Sequence, residues 1–347
     1  MVPERAARGA GAPHAVGALS GTAPDFTVVV PSRGEESSLR RLLAALARQT
    51  LPHDRREIVI ALDGAPLPES LRPAVDAVGA RTVALPERRG PGAARNRGAA
   101  EARGAWLAFT EDDCEPAADW LERAAARIAR EPDADAIEGE TVTPAGAPVR
   151  RRDGAHPNYL PTNLFVRRDR FAHIGGYCEA YFDAARGVYF REDSDFGFAL
   201  EEAGARTVVA PEVRVTHPVE HARFLDPLRW AARYEMDPLL ARRHPARFRD
   251  RIEVARIGPF RIRRPVLRAS AAYLIALAAA ATARLLRDEG LAVLLLLAAA
   301  AALLPLAIKW RFRPARLLLV PLVPFAQAAA LLRGVARARA TGRVDSA

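Results

Sequence analysis

Between residues 26 and 142 the chain alternates short apolar runs with amphipathic stretches, and most of the runs end in polar residues. Phe26-Thr-Val-Val-Val-Pro31 is a β-branched run of the kind that forms a buried strand. Residues 37–49 set Leu39, Leu42, Leu43 and Leu46 at helical spacing. Residues 57–62, 81–85 and 105–110 read as further strands, and 93–102 and 119–130 as helices. Strand–helix alternation predicts an α/β fold with a mostly parallel sheet covered by helices. Ligands of such sheets bind beyond the carboxyl ends of the strands. Here those ends are Pro31-Ser32-Arg33, Asp63-Gly64 and Glu111-Asp112-Asp113. Further on, 136–142, 162–166 and 206–209 read as strands and 195–203 as a helix. Residues 222–255 are amphipathic and Arg-rich, which predicts helix.

The net charge is +10, and its position decides what it means. Residues 256–347 carry 15 basic side chains against Asp288, Glu289 and Asp345, while the rest of the chain is nearly balanced. This basic stretch is also the most apolar. It holds charge-free runs at 269–283, 290–308 and 317–332, the last containing Pro321, Pro324 and Gln327. A bilayer core requires about 20 apolar residues in a helix. Basic residues flanking apolar runs read as membrane anchoring and argue against a nucleic-acid partner. Arg261, Arg263, Arg264 and Arg268 precede the first run, and Lys309, Arg311, Arg313 and Arg316 follow the second. The loop between them balances Arg284 and Arg287 with Asp288 and Glu289. The positive-inside rule then predicts a two-helix hairpin. The third run is expected in the interface, because a full span would put Arg333, Arg337, Arg339 and Arg343 outside.

Residues 1–24 lack the continuous apolar core of a secretory signal and are expected to form a tail, leaving the catalytic part in the cytosol. Cys114 and Cys178, the two cysteines, cannot build a disulfide framework or a four-cysteine zinc site, which suits a reducing compartment.

Four segments carry candidate chemistry. Glu111-Asp112-Asp113 follows an apolar strand, and three adjacent acids repel one another unless a hard divalent cation is held between them. Alternate residues at a strand end can converge on one ion, which makes Glu111 and Asp113 natural ligands; a solvated acidic turn is the plain alternative. Gly90-Pro-Gly-Ala-Ala-Arg-Asn-Arg-Gly98 permits close backbone approach to a phosphate, with Arg95 in reach. Its spacing supports neither a dinucleotide fingerprint nor a P-loop. Arg191-Glu-Asp-Ser-Asp195 opens a helix, where a carboxylate either caps the helix or serves as a general base. His217, in Thr216-His217-Pro218, is either structural or a metal ligand.

Together these segments resemble a family 2 glycosyltransferase of the GT-A fold, over about residues 26–220. "FTVVVPSRGEE" resembles the family's opening strand and nucleotide loop, and "EIVIALDG" its second strand. "GPGAARNRGAAEARGAWLAFTEDDCEP" resembles the helix leading to the DXD strand. "NLFVRRDRFAHIGGYCEAYF" and "REDSDFGFALEEAG" resemble the acceptor-side block and its catalytic Glu-Asp. The resemblance implies that Pro31, Ser32, Arg33, Glu35, Asp63 and Arg95 line the nucleotide, with Asp112 near the ribose. It implies that Glu111, Asp113 and His217 hold Mn²⁺ or Mg²⁺, and that Asp193 is the base in the pair Glu192-Asp193. Glu111 stands where the family usually has Asp, Leu62 replaces one of two common acids, and Cys178 replaces the Asp of GG(F/Y)DE. Asp226-Pro-Leu-Arg229-Trp230 is an incomplete QxxRW signature.

The organisation expected is a disordered tail at 1–24, a GT-A domain at 25–220, an amphipathic Arg-rich helical linker at 221–265, membrane segments at 266–335 and a basic tail at 336–347. The expected activity is metal-dependent, inverting sugar transfer from a nucleotide-diphosphate sugar to a lipid-linked or cell-surface glycan acceptor. The alternatives are a nucleotidyltransferase of related fold and a degenerate membrane-tethered binding module.

Overall fold

The computed structural model describes residues 24–149, 156–219, 223–257, 260–309 and 314–344. Most of the expected tail, together with Arg311, Arg313 and Asp345, lies outside the described residues.

The strands are β1 (Phe26–Ser32), β2 (Arg56–Asp63), β3 (Ala80–Leu85), β4 (Trp106–Phe109), β5 (Glu115–Pro116), β6 (Ala136–Val142), β7 (Leu164–Arg167), β8 (Phe182–Asp183), β9 (Val188–Tyr189), β10 (Thr207–Thr216), β11 (Val254–Ile257) and β12 (Phe260–Arg263). The helices are α1 (Glu36–Ala47), α2 (Arg72–Ala77), α3 (Pro91–Ala100), α4 (Trp120–Arg130), α5 (Arg168–His173), α6 (Glu192–Glu202), α7 (Asp226–Ala232), α8 (Asp237–Arg243), α9 (Pro245–Arg251), α10 (Pro265–Leu285), α11 (Glu289–Ala302), α12 (Leu304–Lys309), α13 (Pro314–Leu317) and α14 (Val323–Val344).

Eight strands form one sheet in the order β3-β2-β1-β4-β7-β6-β10-β5. β1 is buried along its whole length and pairs in parallel with β2 on one side and β4 on the other. The register Ser32↔Leu62 sets Asp63 one residue past the end of β1, and Glu111 lies two residues past the Val29↔Phe109 pair. Three polar strand ends therefore meet at one edge. Within this layer Thr27 donates to Glu57 at 2.5 Å, and the backbone N–H of Gly104 donates to Thr27 at 2.9 Å.

The first four strands run parallel, as the alternation predicts, and β7 enters antiparallel between β4 and β6. β10 runs well past the Val209 boundary suggested by sequence. Proline usually ends or edges a strand. Here the register jumps between Ala210 and Arg214, so Pro211 sits in a bulge and pairing resumes beyond it. β10 then reaches β5, and Thr216↔Glu115 brings the end of β10 beside the loop that follows β4.

The Arg-rich segment after residue 222 breaks into short helices where Pro227, Pro238 and Pro245 each take up an early helical position. It ends in an antiparallel hairpin, β11–β12, where sequence predicts only helix. Beyond it, Pro265–Leu285, Glu289–Lys309 and Ala315–Thr341 are long and apolar enough to cross a membrane. The first two have 21 residues each, which at about 1.5 Å per residue matches a hydrocarbon core of about 30 Å. Asp288 caps α11 by accepting from the Leu291 N–H at 3.0 Å.

α14 turns back onto the sheet domain. A β-carbon on Gly334 would lie 2.2 Å from the Glu235 carbonyl oxygen, so only glycine lets these backbones approach so closely. Glu235, almost fully buried, accepts from Arg186 at 2.5 Å, Arg333 at 3.1 Å and Arg337 at 3.3 Å, and Arg337 also reaches Asp183 at 3.0 Å.

The core beneath the sheet turns on Trp120, which is fully buried, lies 5.0 Å from the Phe165 ring and donates to Asn163 at 2.9 Å. Asn163 in turn donates to the carbonyls of Glu140 and Val213. Trp120→Phe is expected to cost about 1–3 kcal/mol, because the Asn163 oxygen loses its donor in a buried place. Trp120→Ala is expected to cost about 3–5 kcal/mol, adding a cavity. Thermal unfolding of the two variants in one lipid preparation checks this order.

Candidate active site

The site lies where β1, β2 and β4 end, and α3, α6 and β10 each add one element to it. Pro31 and Ser32 are buried at the end of β1, and Arg33 is exposed just beyond. Ser32 donates to Asp112 at 2.6 Å while accepting from the Gly34 N–H at 3.0 Å, which joins the first loop to the acidic cluster. Burial raises the Asp112 carboxyl despite that bond. Asp63, buried, accepts from the backbone N–H groups of Arg89 at 2.7 Å and Gly90 at 3.0 Å, so its carboxylate shapes the turn into α3. Glu35 has a structural task of its own: it caps α1 by accepting from the Ser38 N–H at 2.7 Å, and the bonds from Ser38 and Ser37 lower its carboxyl to about 2.

Arg95 is 1% exposed. It donates to Glu111 at 2.9 Å, lies 3.8 Å from Glu192 and stands over the Tyr177 ring at 5.2 Å. Its Nε and Nη1 are buried and have no hydrogen-bond partner among the described residues. Buried donors are costly unless paired, and these two lie beside the acidic cluster. Asn96, the next residue, grips the Tyr177 backbone by donating to its carbonyl and accepting from its N–H, each at 2.8 Å. That clamp fixes α3 against the segment leading to α6.

Glu111, Asp113, Cys114 and His217 converge, with their ligand atoms all within 4.8 Å of one another. His217 arrives through the β10–β5 pairing, and its N–H bonds the Val142 carbonyl at 2.8 Å. Its Nδ1 lies 2.7 Å from the Pro218 carbonyl, which leaves Nε2 facing Glu111 at 3.6 Å and Asp113 at 3.8 Å. Two carboxylates and an imidazole so oriented fit a divalent cation. The sequence reading did not include Cys114. Its thiol is buried and burial raises it well above the usual range, so it stays protonated and is a poor ligand. Its position directly after Asp113 was the only available signal.

The charges set the protonation states. Against burial, the pairing with His217 and the Arg95 charge hold the Glu111 carboxyl down. Burial and the Glu111 charge raise Asp113. The pairing with Glu111, helped by the Asp113 charge, pushes His217 up to about 9 against the effect of burial. Burial lifts Glu192 to about 7 against the nearby Arg95 charge. Asp193 sits in the first turn of α6, where its Oδ1 accepts from the Ser194 N–H at 2.6 Å. The structure thus brings Ser32, Asp112, Arg95, Glu111, Asp113, His217, Glu192 and Asp193 around one strand-end edge. Arg33 and Glu35 stand at its exposed rim.

A mixed α/β sheet with an acidic turn after its fourth strand and long apolar helices at the C-terminus has the architecture of a GT-A transferase. Residues 27–185 match glycosyl transferase family 2, and the chain carries a glycosyltransferase domain of that family. The matched range stops short of Glu192, Asp193 and His217. The chain is 26% identical to glycosyltransferase AglE of Haloferax volcanii over 201 residues, covering 52% of this chain and 65% of that protein. It is 28% identical over 227 residues to the pre-mycofactocin glycosyltransferase of Mycobacterium tuberculosis, covering 56% of this chain and 42% of that one. It therefore spans less than two thirds of either relative. Among solved structures it shares its fold with the mannosyltransferase PcManGT of Pyrobaculum calidifontis in complex with GDP-Man and Mn²⁺. That likeness has a TM-score of 0.54 at 23% identity, over 89% of this chain and 87% of that one. Residues 1–349 of S. aureus TarS in complex with UDP give a TM-score of 0.50 at 19% identity, over 62% of this chain and 65% of that one.

Because His217 carries a proton in the metal-free protein, Mn²⁺ binding should release it. The apparent Mn²⁺ affinity is expected to rise with pH between about 6.5 and 9, and His217→Gln should flatten that rise. Without metal the sign is opposite. The stability contributed by His217⁺ is full below about pH 6.5 and is lost as pH rises through about 9. Calorimetric titrations in buffers of different ionisation heat measure the released proton directly.

Proposed function

We propose that this chain transfers a sugar, with inversion, from a nucleotide-diphosphate sugar to a hydroxyl of a lipid-linked or cell-surface glycan acceptor. The observation that carries the reading is the convergence of Glu111, Asp113 and His217 beside buried Arg95, with Glu192-Asp193 across from them. Glu111, Asp113 and His217 would hold the cation, Mn²⁺ or Mg²⁺. When bound, such an ion supplies neutralisation of the diphosphate and of the charge left on it. The two unpaired donors of Arg95 suit the same anion. Ser32 and Asp112 border the nucleoside side, with Pro31, Arg33 and Asp63. Asp193 takes the proton of the acceptor hydroxyl as the oxygen attacks the anomeric carbon from the face opposite the leaving diphosphate. One displacement inverts the configuration.

Hydrolysis of nucleotide sugars by the purified chain, with and without Mn²⁺, tests the reading. Asp113→Ala is expected to abolish metal-dependent turnover, and His217→Ala to lower it by roughly one to two orders of magnitude. Asp193→Asn should keep nucleotide binding while transfer falls by roughly two to four orders. Donor binding with no turnover under any condition would favour the binding-module alternative.

The same reading needs the sheet domain on the cytosolic face, where nucleotide sugars are made. We propose a membrane hairpin of α10 with α11–α12, its Arg284–Glu289 end outside, and an α14 that does not cross. The ion pairs of Arg333 and Arg337 with Glu235 and Asp183 support this, because they tie the end of α14 to the sheet domain. With cysteines introduced one at a time, an impermeant maleimide applied to intact cells should label Asp288→Cys and leave Ala340→Cys unmodified. Labelling at position 340 from outside would establish a third crossing.

A further inference from the structure

Among the described residues, five other than glycine have a positive φ, and three of the five meet in one network. Arg191 (φ 75°) precedes α6, Arg264 (φ 49°) precedes α10, and Glu253 (φ 52°) lies between α9 and β11. A side chain disfavours this left-handed region, so such residues persist only where their surroundings hold them. Asp237, the first residue of α8, is 1% exposed and joins the two arginines. It accepts from Arg191 at 2.8 Å and also from Arg264. Burial raises its carboxyl, and the two guanidinium charges oppose the rise. Arg264 lies 3.6 Å from Glu253 as well and stands over the Tyr234 and Phe248 rings. Arg191 is itself buried, 4.3 Å from the Phe190 ring.

α8 grips the opening of α6 from both sides of Asp193. Asp237, at its start, takes Arg191, two residues before Asp193. Arg243, at its end, donates to Asp195 at 2.7 Å, two residues after Asp193, and the next residue, His244, lies 3.1 Å from the same carboxylate. Asp195 also accepts from Tyr181 at 2.9 Å. Between the two grips, the Asp195 N–H bonds the Arg191 carbonyl at 2.8 Å and closes the turn. α8 in its turn is placed by the C-terminal helices. Arg242 donates to the Ala338 carbonyl on α14, and Leu239 and Leu240 share an apolar cluster with Ala338 and with Phe198 of α6. An ion pair buried this deeply resists change, because losing one partner strands a charge out of water.

We propose that Asp237 is a positioning residue for transfer. Through Arg191 it fixes the orientation of the turn that carries Asp193, and through Arg264 it ties that turn to the start of the first apolar helix. Without the carboxylate, the left-handed backbone at Arg191 loses the contact that holds it and relaxes, which turns Asp193. The inference rests on the reading of Asp193 as the base, while the contacts that carry it do not.

The test sets Asp237→Asn beside the parent, each as the full chain in nanodiscs. Asparagine keeps the shape and removes the charge. Two quantities are read: Mn²⁺-dependent hydrolysis of UDP-glucose or GDP-mannose, and amide hydrogen exchange at the start of α6. The kcat is expected to fall roughly ten- to a hundredfold with the donor KM within about threefold, because Asp193 acts on the attacking oxygen and does not hold the donor. The Asp195 N–H should exchange at least about tenfold faster while α3 and α4 keep their rates. Glu131→Gln, which breaks the 2.6 Å ion pair with Arg206 beside the start of β10, should change neither. Parental kcat or parental exchange at Asp195 overturns the proposal, and so does exchange that quickens equally in α3 and α4. If Asp237→Asn fails to fold, Arg264→Gln decides. It removes one partner and should lower kcat about threefold or more and quicken the same N–H, and parental values there overturn the proposal. Where the parent hydrolyses neither sugar, the exchange result decides alone. Asp193→Asn with the parental kcat would sink the base reading instead, and the exchange at Asp195 would still decide whether Asp237 holds the turn.

Discussion

A buried guanidinium must be answered by its surroundings, and the site is organised around that requirement at Arg95. Taking a cation out of water costs several kcal/mol unless anions and hydrogen bonds replace the solvent. Glu111 answers from the loop after β4, Glu192 from the first turn of α6, and the Tyr177 ring offers its face. Three segments far apart in sequence are thereby held at fixed distances from α3. Burial lifts Glu192 to about 7 against the Arg95 charge, whereas Glu111 is held low against burial by its bond with His217 and by the Arg95 charge. The order of the polar strand ends is thus set by the sheet, while their charge states follow from burial, from one another, from His217 and from Arg95.

Much of this was readable in advance, for reasons that can be stated residue by residue. The run Phe26–Ser32 is buried on both faces, and its composition says so directly. The acids after β4 and the Ala-Arg-Asn helix announce themselves because a strand end and a helix start are local events. Three features were not local. β10 continues past Pro211 only because β6 and β5 hold it on either side of a bulge, and no window of sequence contains those partners. The β11–β12 hairpin lies in an Arg-rich stretch whose pattern also suits a helix. His217 reaches Glu111 and Asp113 through the β10–β5 pairing. Glu35 illustrates the reverse case. Its place in the first loop suggested a ligand contact, and the backbone N–H it caps was equally legible from the Ser-Ser that follows.

The C-terminal helices are integrated with the sheet domain through ion pairs as well as apolar contact. Ser270 on α10 hydrogen-bonds Gln327 on α14 in a buried place, and α14 ends against Glu235 and Asp183. Asp237 adds a second link, between α6 and the start of α10. An apolar helix bearing arginines in its last turns has two ways to satisfy them, water or carboxylates. This chain supplies the carboxylates itself, Glu235 from its α7–α8 junction and Asp183 from β8.

The bulge in β10 has an arithmetic consequence. Pro211, Glu212 and Val213 have no partners on β6, so three residues are inserted between successive pairs. Three is odd, and side chains alternate faces along a strand. The insertion therefore reverses the parity of β10: residues after it point to the face opposite the one that counting from Thr207 would give. His217 meets Glu111 and Asp113 only in the reversed phase. The bulge therefore lets one strand change phase partway along, and the pairing with β6 and β5 beyond it decides which way the histidine points.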